Sequence, residues 1–141
     1  MVTINPYLNF KGNTEEAFNF YKLVFGGEFV TVQRFKETSE VAKLPPSDHN
    51  KIMHIALPIG NENILMGTDV LESAGRTMTV GDNVHLSVST DSDEETKKVF
   101  DELAAGGKIT MPLDKMFWGA YFGMCTDKFG VHWMVSNDAK K

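Results

Sequence analysis

Two stretches of this chain can be laid over one another, and that limits its fold more than any other feature. "PYLNFKGNTEEAFNFY", beginning at Pro6, and "HLSVSTDSDEETKKVF", beginning at His85, are related by an offset of 79 residues. At that offset Glu15-Glu16 falls on Glu94-Glu95, Phe20-Tyr21 on Val99-Phe100, and Val24 on Leu103. The diglycines Gly26-Gly27 and Gly106-Gly107 agree to within one residue. Strand, acidic helix start, apolar helical spacing and Gly-Gly stop recur in the same order, which marks an internal repeat.

Local patterns fill in each copy. In the first, a strand is predicted over 3–10. A helix follows, with Asn13 as N-cap and Glu16 three residues on, a variant of the capping box. Ala17, Phe20, Tyr21 and Val24 recur at helical spacing, and Gly26-Gly27 supplies the left-handed stop. A strand over 28–35 leads into a polar, proline-containing segment, 36–50, expected to be a mobile loop. Two strands over 51–69 are joined by a turn at Gly60-Asn61.

In the second copy a strand over 83–90 precedes a helix over 91–107, acidic at its start as the helix dipole favours. Strands at 108–117, 119–127 and 131–136 complete it, the last two joined by a turn at Lys128–Gly130. The order βαβββ, twice over, predicts an α+β fold of one domain, 1–141. Module one spans 1–69, a linker 70–82, and module two 83–141.

Composition removes several function classes. The net charge is −5 and no run of Lys and Arg exceeds two, so there is no basic patch for nucleic acid. Cys125 is the one cysteine, which excludes an internal disulfide and any Cys-based zinc motif. No segment has 18 consecutive apolar residues and no signal peptide is visible, so a cytoplasmic address without a membrane partner is expected. Ten Phe, three Tyr, two Trp and eight Met provide enough bulky apolar volume for a core and an apolar pocket.

Nucleophile and carboxylate chemistry is weakly represented. Cys125 has apolar neighbours and reads as a buried, inert thiol. Asp69, after Gly67-Thr68, reads as a turn residue whose carboxylate caps local N–H groups. No carboxylate pair has the spacing that glycosidase chemistry calls for. Phe117, Trp118, Tyr121 and Phe122 form the densest aromatic cluster. Gly119 and Gly123 among them permit close approach of a flat ligand. Core packing or a dimer interface accounts for the same cluster. Met66, Met134 and the other strand methionines suit a malleable apolar interior.

"PYLNFKGNTEEAFNFYKLVFGGE", "MHIALPIGNENILMGTD" and "FWGAYFGMCTDKFGVHWMVS" resemble the vicinal oxygen chelate superfamily of glyoxalases, bleomycin-resistance proteins and dioxygenases. The branch is the PhnB-like group, often labelled 3-demethylubiquinone methyltransferase-like. No Gly-rich strand–turn–helix loop supports a methyltransferase reading, since "VFGGE" and "AAGGK" end helices. The resemblance implies cupped mixed sheets around a cavity and a homodimer. It places the family's metal positions at Pro6, His85, Met66 and Met134. Proline cannot ligate through its side chain and a thioether suits hard divalent ions poorly, so no resident metal is expected, with a divalent ion as the alternative.

Strand alternation puts His85, Ser87 and Ser89 on one face, and His132 with Met134 opposite Trp133. The catalytic residues are left unassigned, with His85, which the resemblance places at a first-strand position, and His132 as the best candidates. The ligand-binding set is His54, Met66, His85, Trp118, Tyr121, His132 and Met134. The expected function is small-molecule binding of an apolar or aromatic compound. The alternative is a lyase, isomerase or dioxygenase-like enzyme acting on a small oxygenated substrate.

Overall fold

The computed structural model describes residues 1–138, Asp138 by its backbone alone. The chain divides into two compact units, one covering Met1–Thr79 and one beginning at Val80. Unit 1 contains β1 (Tyr7–Phe10), α1 (Thr14–Phe25), β2 (Thr31–Arg34), β3 (Ile52–Ile59) and β4 (Asn63–Asp69). Unit 2 contains β5 (Leu86–Ser89), α2 (Asp93–Ala104), β6 (Lys108–Lys115), β7 (Ala120–Thr126) and β8 (His132–Asp138). The sheets have the same order, β1-β4-β3-β2 and β5-β8-β7-β6, each with one parallel and two antiparallel pairings. The α+β repeat read from the sequence is therefore the architecture. The boundary falls inside the expected linker: Val70 and Leu71 are buried, and residues 70–79 cluster with unit 1.

The two helices are capped differently. Ser92 accepts from Glu95 N–H at 3.1 Å, and Glu95 Oε1 accepts from Asp91 N–H at 2.9 Å, so α2 carries its own cap. Asn13 makes no side-chain cap on α1. Its place is taken by Asp69, at the end of β4. Asp69 Oδ1 accepts from Gly12 N–H at 3.0 Å, Thr14 N–H at 3.0 Å and Thr14 Oγ1 at 2.6 Å. Its Oδ2 accepts from Ile52 N–H at 2.8 Å. One buried carboxylate thus fastens the start of α1 to the start of β3 and the end of β4.

That anchor sets which face of α1 is buried. Thr14, Ala17, Phe18, Tyr21 and Val24 face inward, and Phe20, expected in the core, is only partly covered. In α2 the inward set is Thr96, Val99, Phe100 and Leu103. The 79-residue offset superposes the ends of the helices but not these faces, which coincide three residues later: Phe18 answers to Phe100, Tyr21 to Leu103. Burying a phenylalanine side chain this completely contributes about 2–3 kcal/mol.

Beneath each of those phenylalanines a glycine faces a branched residue across an antiparallel pair. In unit 1 the pair is Ile55 on β3 and Gly67 on β4; in unit 2 it is Gly123 on β7 and Val135 on β8. A Cβ at Gly67 would lie 2.6 Å from Phe18 Cε1, and one at Gly123 would lie 2.8 Å from Phe100 Cε1. Each sheet leaves one side chain out where its aromatic ring descends, but on opposite strands.

The repeat is interrupted in unit 1. β6 and β7 are joined by the short turn 116–119, whereas 35–51 separate β2 from β3. The longer segment, expected as a mobile loop, contains 3-10 turns at Phe35–Glu37, Val41–Lys43 and Pro46–Asp48. It is tied down by Asp48, a buried carboxylate paired with Lys51 at 2.7 Å and accepting from Ser73 Oγ. The lysine first and the serine second hold the Asp48 carboxyl below its usual range.

Candidate functional site

In unit 2, Trp133, Val135 and Asn137 of β8 are buried, so His132, Met134 and Ser136 occupy the face away from α2. On β7, Gly123 and Cys125 lie under the helix, which leaves Phe122, Met124 and Thr126 on the same open face. Ser87 stands beside Met134 in the parallel register of β5 with β8. The His85 ring lies 5.4 Å from that of His132, centroid to centroid. Three of the candidates, His85, His132 and Met134, thus share the face that strand alternation assigned them, with Trp133 packed behind.

The partners of His132 limit its chemistry. Its Nε2 is 2.8 Å from Gly81 O, a carbonyl that can only accept, so Nε2 carries hydrogen. Its Nδ1 is 2.8 Å from Thr126 Oγ1, which donates to it when the ring is neutral. Neither nitrogen has a lone pair to spare. Among the described residues no hydrogen bond reaches the His85 ring, which leaves it the more available base.

In unit 1 the corresponding face carries Tyr7 on β1, Met66 on β4 and His54 on β3. Tyr7 lies opposite Met66, and Met66 opposite Ala56. Tyr7 Oη is 3.3 Å from His54 Nδ1, with the rings stacked at 5.7 Å. Tyr7 was missed in the sequence, although the alternation of buried Phe10 and half-buried Leu8 puts it on this face. The register also moves the first-strand position: Tyr7 beside Met66 matches Ser87 beside Met134, one residue on from Pro6 and two on from His85.

The donors on these faces do not fit a divalent metal centre. They are the thioethers of Met66, Met124 and Met134, the Tyr7 phenol, serine and threonine hydroxyls, and three imidazoles, of which His132 has both nitrogens engaged and His54 has one hydrogen-bonded to Tyr7. Among the described residues no group of three or more His, Cys, Asp or Glu could hold an ion.

Tyr121 shares the phase of Gly123 and Cys125 and so lies on the helix side of β7, apart from His132. Trp118 is half exposed in the turn before β7, edge-on to Phe117 at 4.9 Å and 6.2 Å from Phe122. Phe122 rather than Tyr121 continues this aromatic group onto the open face. Asp127 closes the β7–β8 turn, accepting from Phe129 and Val131 N–H through Oδ1 and from Trp133 Nε1 at 2.9 Å through Oδ2. Burial, and then the Asp127 charge, push the Cys125 thiol up to about 11. Folded protein is therefore expected to resist a thiol reagent such as 5,5′-dithiobis(2-nitrobenzoate) at pH 8 and to react with one equivalent in denaturant; fast reaction of the folded protein would refute the inert assignment.

A cleft of about 430 Å³ opens within unit 1, where the 35–51 segment meets the 3-10 turn Glu72–Ala74. Phe35, Leu44, Met53 and Leu71 form its apolar lining, and none of the seven ligand-binding candidates contributes to it. The segment has no periodicity, so the cleft leaves little trace in the sequence beyond the proline pair and Asp48.

The sequence profile of the Glyoxalase/Bleomycin resistance protein/Dioxygenase superfamily matches residues 3–135. Protein YjdN of Escherichia coli is 35% identical to this chain, over 94% of the chain and 93% of that protein. The crystal structure of protein PA1353 from Pseudomonas aeruginosa superposes with a TM-score of 0.85 at 36% identity, over 98% of both chains. The PhnB protein from Bacillus cereus follows with a TM-score of 0.78 at 29% identity, over 96% of this chain and 99% of that one.

Proposed function

The chain belongs to the Glyoxalase/Bleomycin resistance protein/Dioxygenase superfamily, and from that premise we propose that it binds a small apolar or aromatic molecule without the divalent metal usual in that family. The observation that carries this reading is the donor set of the open sheet faces. Met66, Met134, Phe122 and Met124 offer polarisable apolar surface, and His132, on the same face of β8 as Met134, has both ring nitrogens committed. A cytoplasmic address and a homodimer belong to the same proposal. Both rest on the family resemblance; among the described residues, no helix is long and apolar enough to cross a membrane.

Metal analysis and a ligand screen test it together. Protein purified without chelator and dialysed should carry far less than one equivalent of zinc, nickel, manganese or iron. At least one aromatic compound should raise the melting temperature, since a ligand at a hundred times its Kd stabilises by about 2.7 kcal/mol. Met134→Lys, on the open face of β8, should remove that shift. A stoichiometric metal that resists dialysis would overturn the reading.

The enzymatic alternative rests on His85, half-buried, with no hydrogen bond among the described residues and an imidazole neighbour. Should His85→Ala abolish a turnover found by substrate screening, binding alone is not the function.

A further inference from the structure

We infer that the cleft of unit 1 is a separate binding site for a small organic carboxylate with an apolar body, such as an arylacetate or a branched short-chain acid, and that Arg76 anchors its charge. All but one of the polar side chains on the lining are already engaged. Thr38 Oγ1 donates to Phe35 O at 2.8 Å, and Ser73 Oγ donates to Asp48. Glu40 and Lys43 form an ion pair at 3.1 Å, so their charges offset. Asp69 is the lining's other anion, and its carboxylate is turned into four donors at the start of α1 and β3. What remains is Arg76, which among the described residues has no side-chain hydrogen bond or ion pair.

An uncommitted guanidinium at the edge of an apolar cleft matches a carboxylate in both charge and geometry, because it can donate two parallel hydrogen bonds. The volume, about 430 Å³, is that of a pocket for a small ligand. The aromatic ring of Phe35 and the thioether of Met53 suit a flat or branched hydrocarbon portion. The site also lacks a counterpart in unit 2, where β6 and β7 are joined by the turn 116–119 alone. It is therefore not a duplicate of anything the repeat supplies, and it is independent of the sheet-face reading above.

Isothermal titration calorimetry with phenylacetate, benzoate and isovalerate, each beside its neutral amide, tests this on the full chain. At least one acid should bind about tenfold or more tightly than its amide, the scale of one charge-assisted pair. Arg76→Gln should abolish that preference, and Ala74→Phe, which fills the cleft from an exposed position, should abolish binding of acid and amide alike. Both variants should keep the far-UV circular dichroism of the parent, because neither residue is buried. Met134→Lys should leave the carboxylate affinity unchanged. The inference fails if no acid binds in the millimolar range, if acids and amides bind alike, or if Arg76→Gln retains the preference. It also fails if Met134→Lys removes binding, which would place the ligand on the sheet face and leave the proposed function standing.

Discussion

Asp69→Ala is expected to lower the unfolding free energy by about 4 kcal/mol, a large fraction of the 5–15 kcal/mol typical of a domain. The carboxylate is buried and accepts four hydrogen bonds, three from Gly12 and Thr14 and one from Ile52. Alanine leaves three backbone N–H groups and a hydroxyl without their acceptor, and each buried orphan costs about 1–3 kcal/mol unless water reaches it. The end of α1 also loses its counter-charge. Asp69→Asn should cost about half as much, since the amide oxygen can still serve the α1 donors while its NH2 confronts the Ile52 N–H. Urea unfolding should be followed by far-UV circular dichroism, because both tryptophans, Trp118 and Trp133, lie in unit 2. A loss below about 1 kcal/mol would mean that α1 finds another cap, with Asn13 the obvious substitute.

The second large effect is expected from the smallest substitution. Gly67→Ala should cost about 3 kcal/mol, at the upper end of the range for overfilling a packed core. The new methyl carbon would stand 2.6 Å from Phe18 Cε1, 2.9 Å from its Cζ and 3.3 Å from Leu8 O. Phe18 cannot swing aside, because Phe10 and Tyr21 hold its ring edge-on at 6.5 and 5.5 Å. Backbone dihedrals are not the cause, since Gly67 is not among the glycines with positive φ. A double-mutant cycle with Phe18→Leu separates the explanations: if the clash is with the ring, the second substitution should recover part of the loss. Simple additivity of the two losses would show that Gly67 is needed for some other reason.

Both effects depend on contacts that only partly register in the sequence. The βαβββ order was legible because each element has its own signal: alternation in "VHWMVS", Ser92 and Glu95 at the start of α2, diglycines after the helices. The helix faces were legible in α2, where the apolar residues are few and fall on one side. They were misread in α1, where Phe18, Phe20, Tyr21 and Phe25 surround the axis. Asp69, more than fifty residues downstream of Thr14, decides which of them turns inward. The same distance explains why Asp69 looked like a local turn residue.

Site residues divide along similar lines. Alternation placed His132, Met134 and Trp133 correctly, since a period of two needs no knowledge of distant partners. It could not reveal that Gly81 and Thr126 occupy both nitrogens of His132, and the aromatic cluster that brought in Tyr121 did not separate it from Phe122, which lies on the open face. The cleft in unit 1 left almost no local trace, because turns of three residues have no repeat to detect.

The glycine beneath each helix aromatic limits which pieces of the two halves are interchangeable. Strand pairs Ile55–Gly67 and Gly123–Val135 each set one glycine against one β-branched residue, with the two strands exchanged. Joining β3 to the partner strand of the other half would set Ile55 against Val135, two branched side chains under one ring. The reciprocal join would set glycine against glycine and leave a hole. A chimera that exchanges one strand between the halves is therefore expected to lose stability, whereas exchange of the whole hairpin keeps one glycine and one branched side chain beneath each ring.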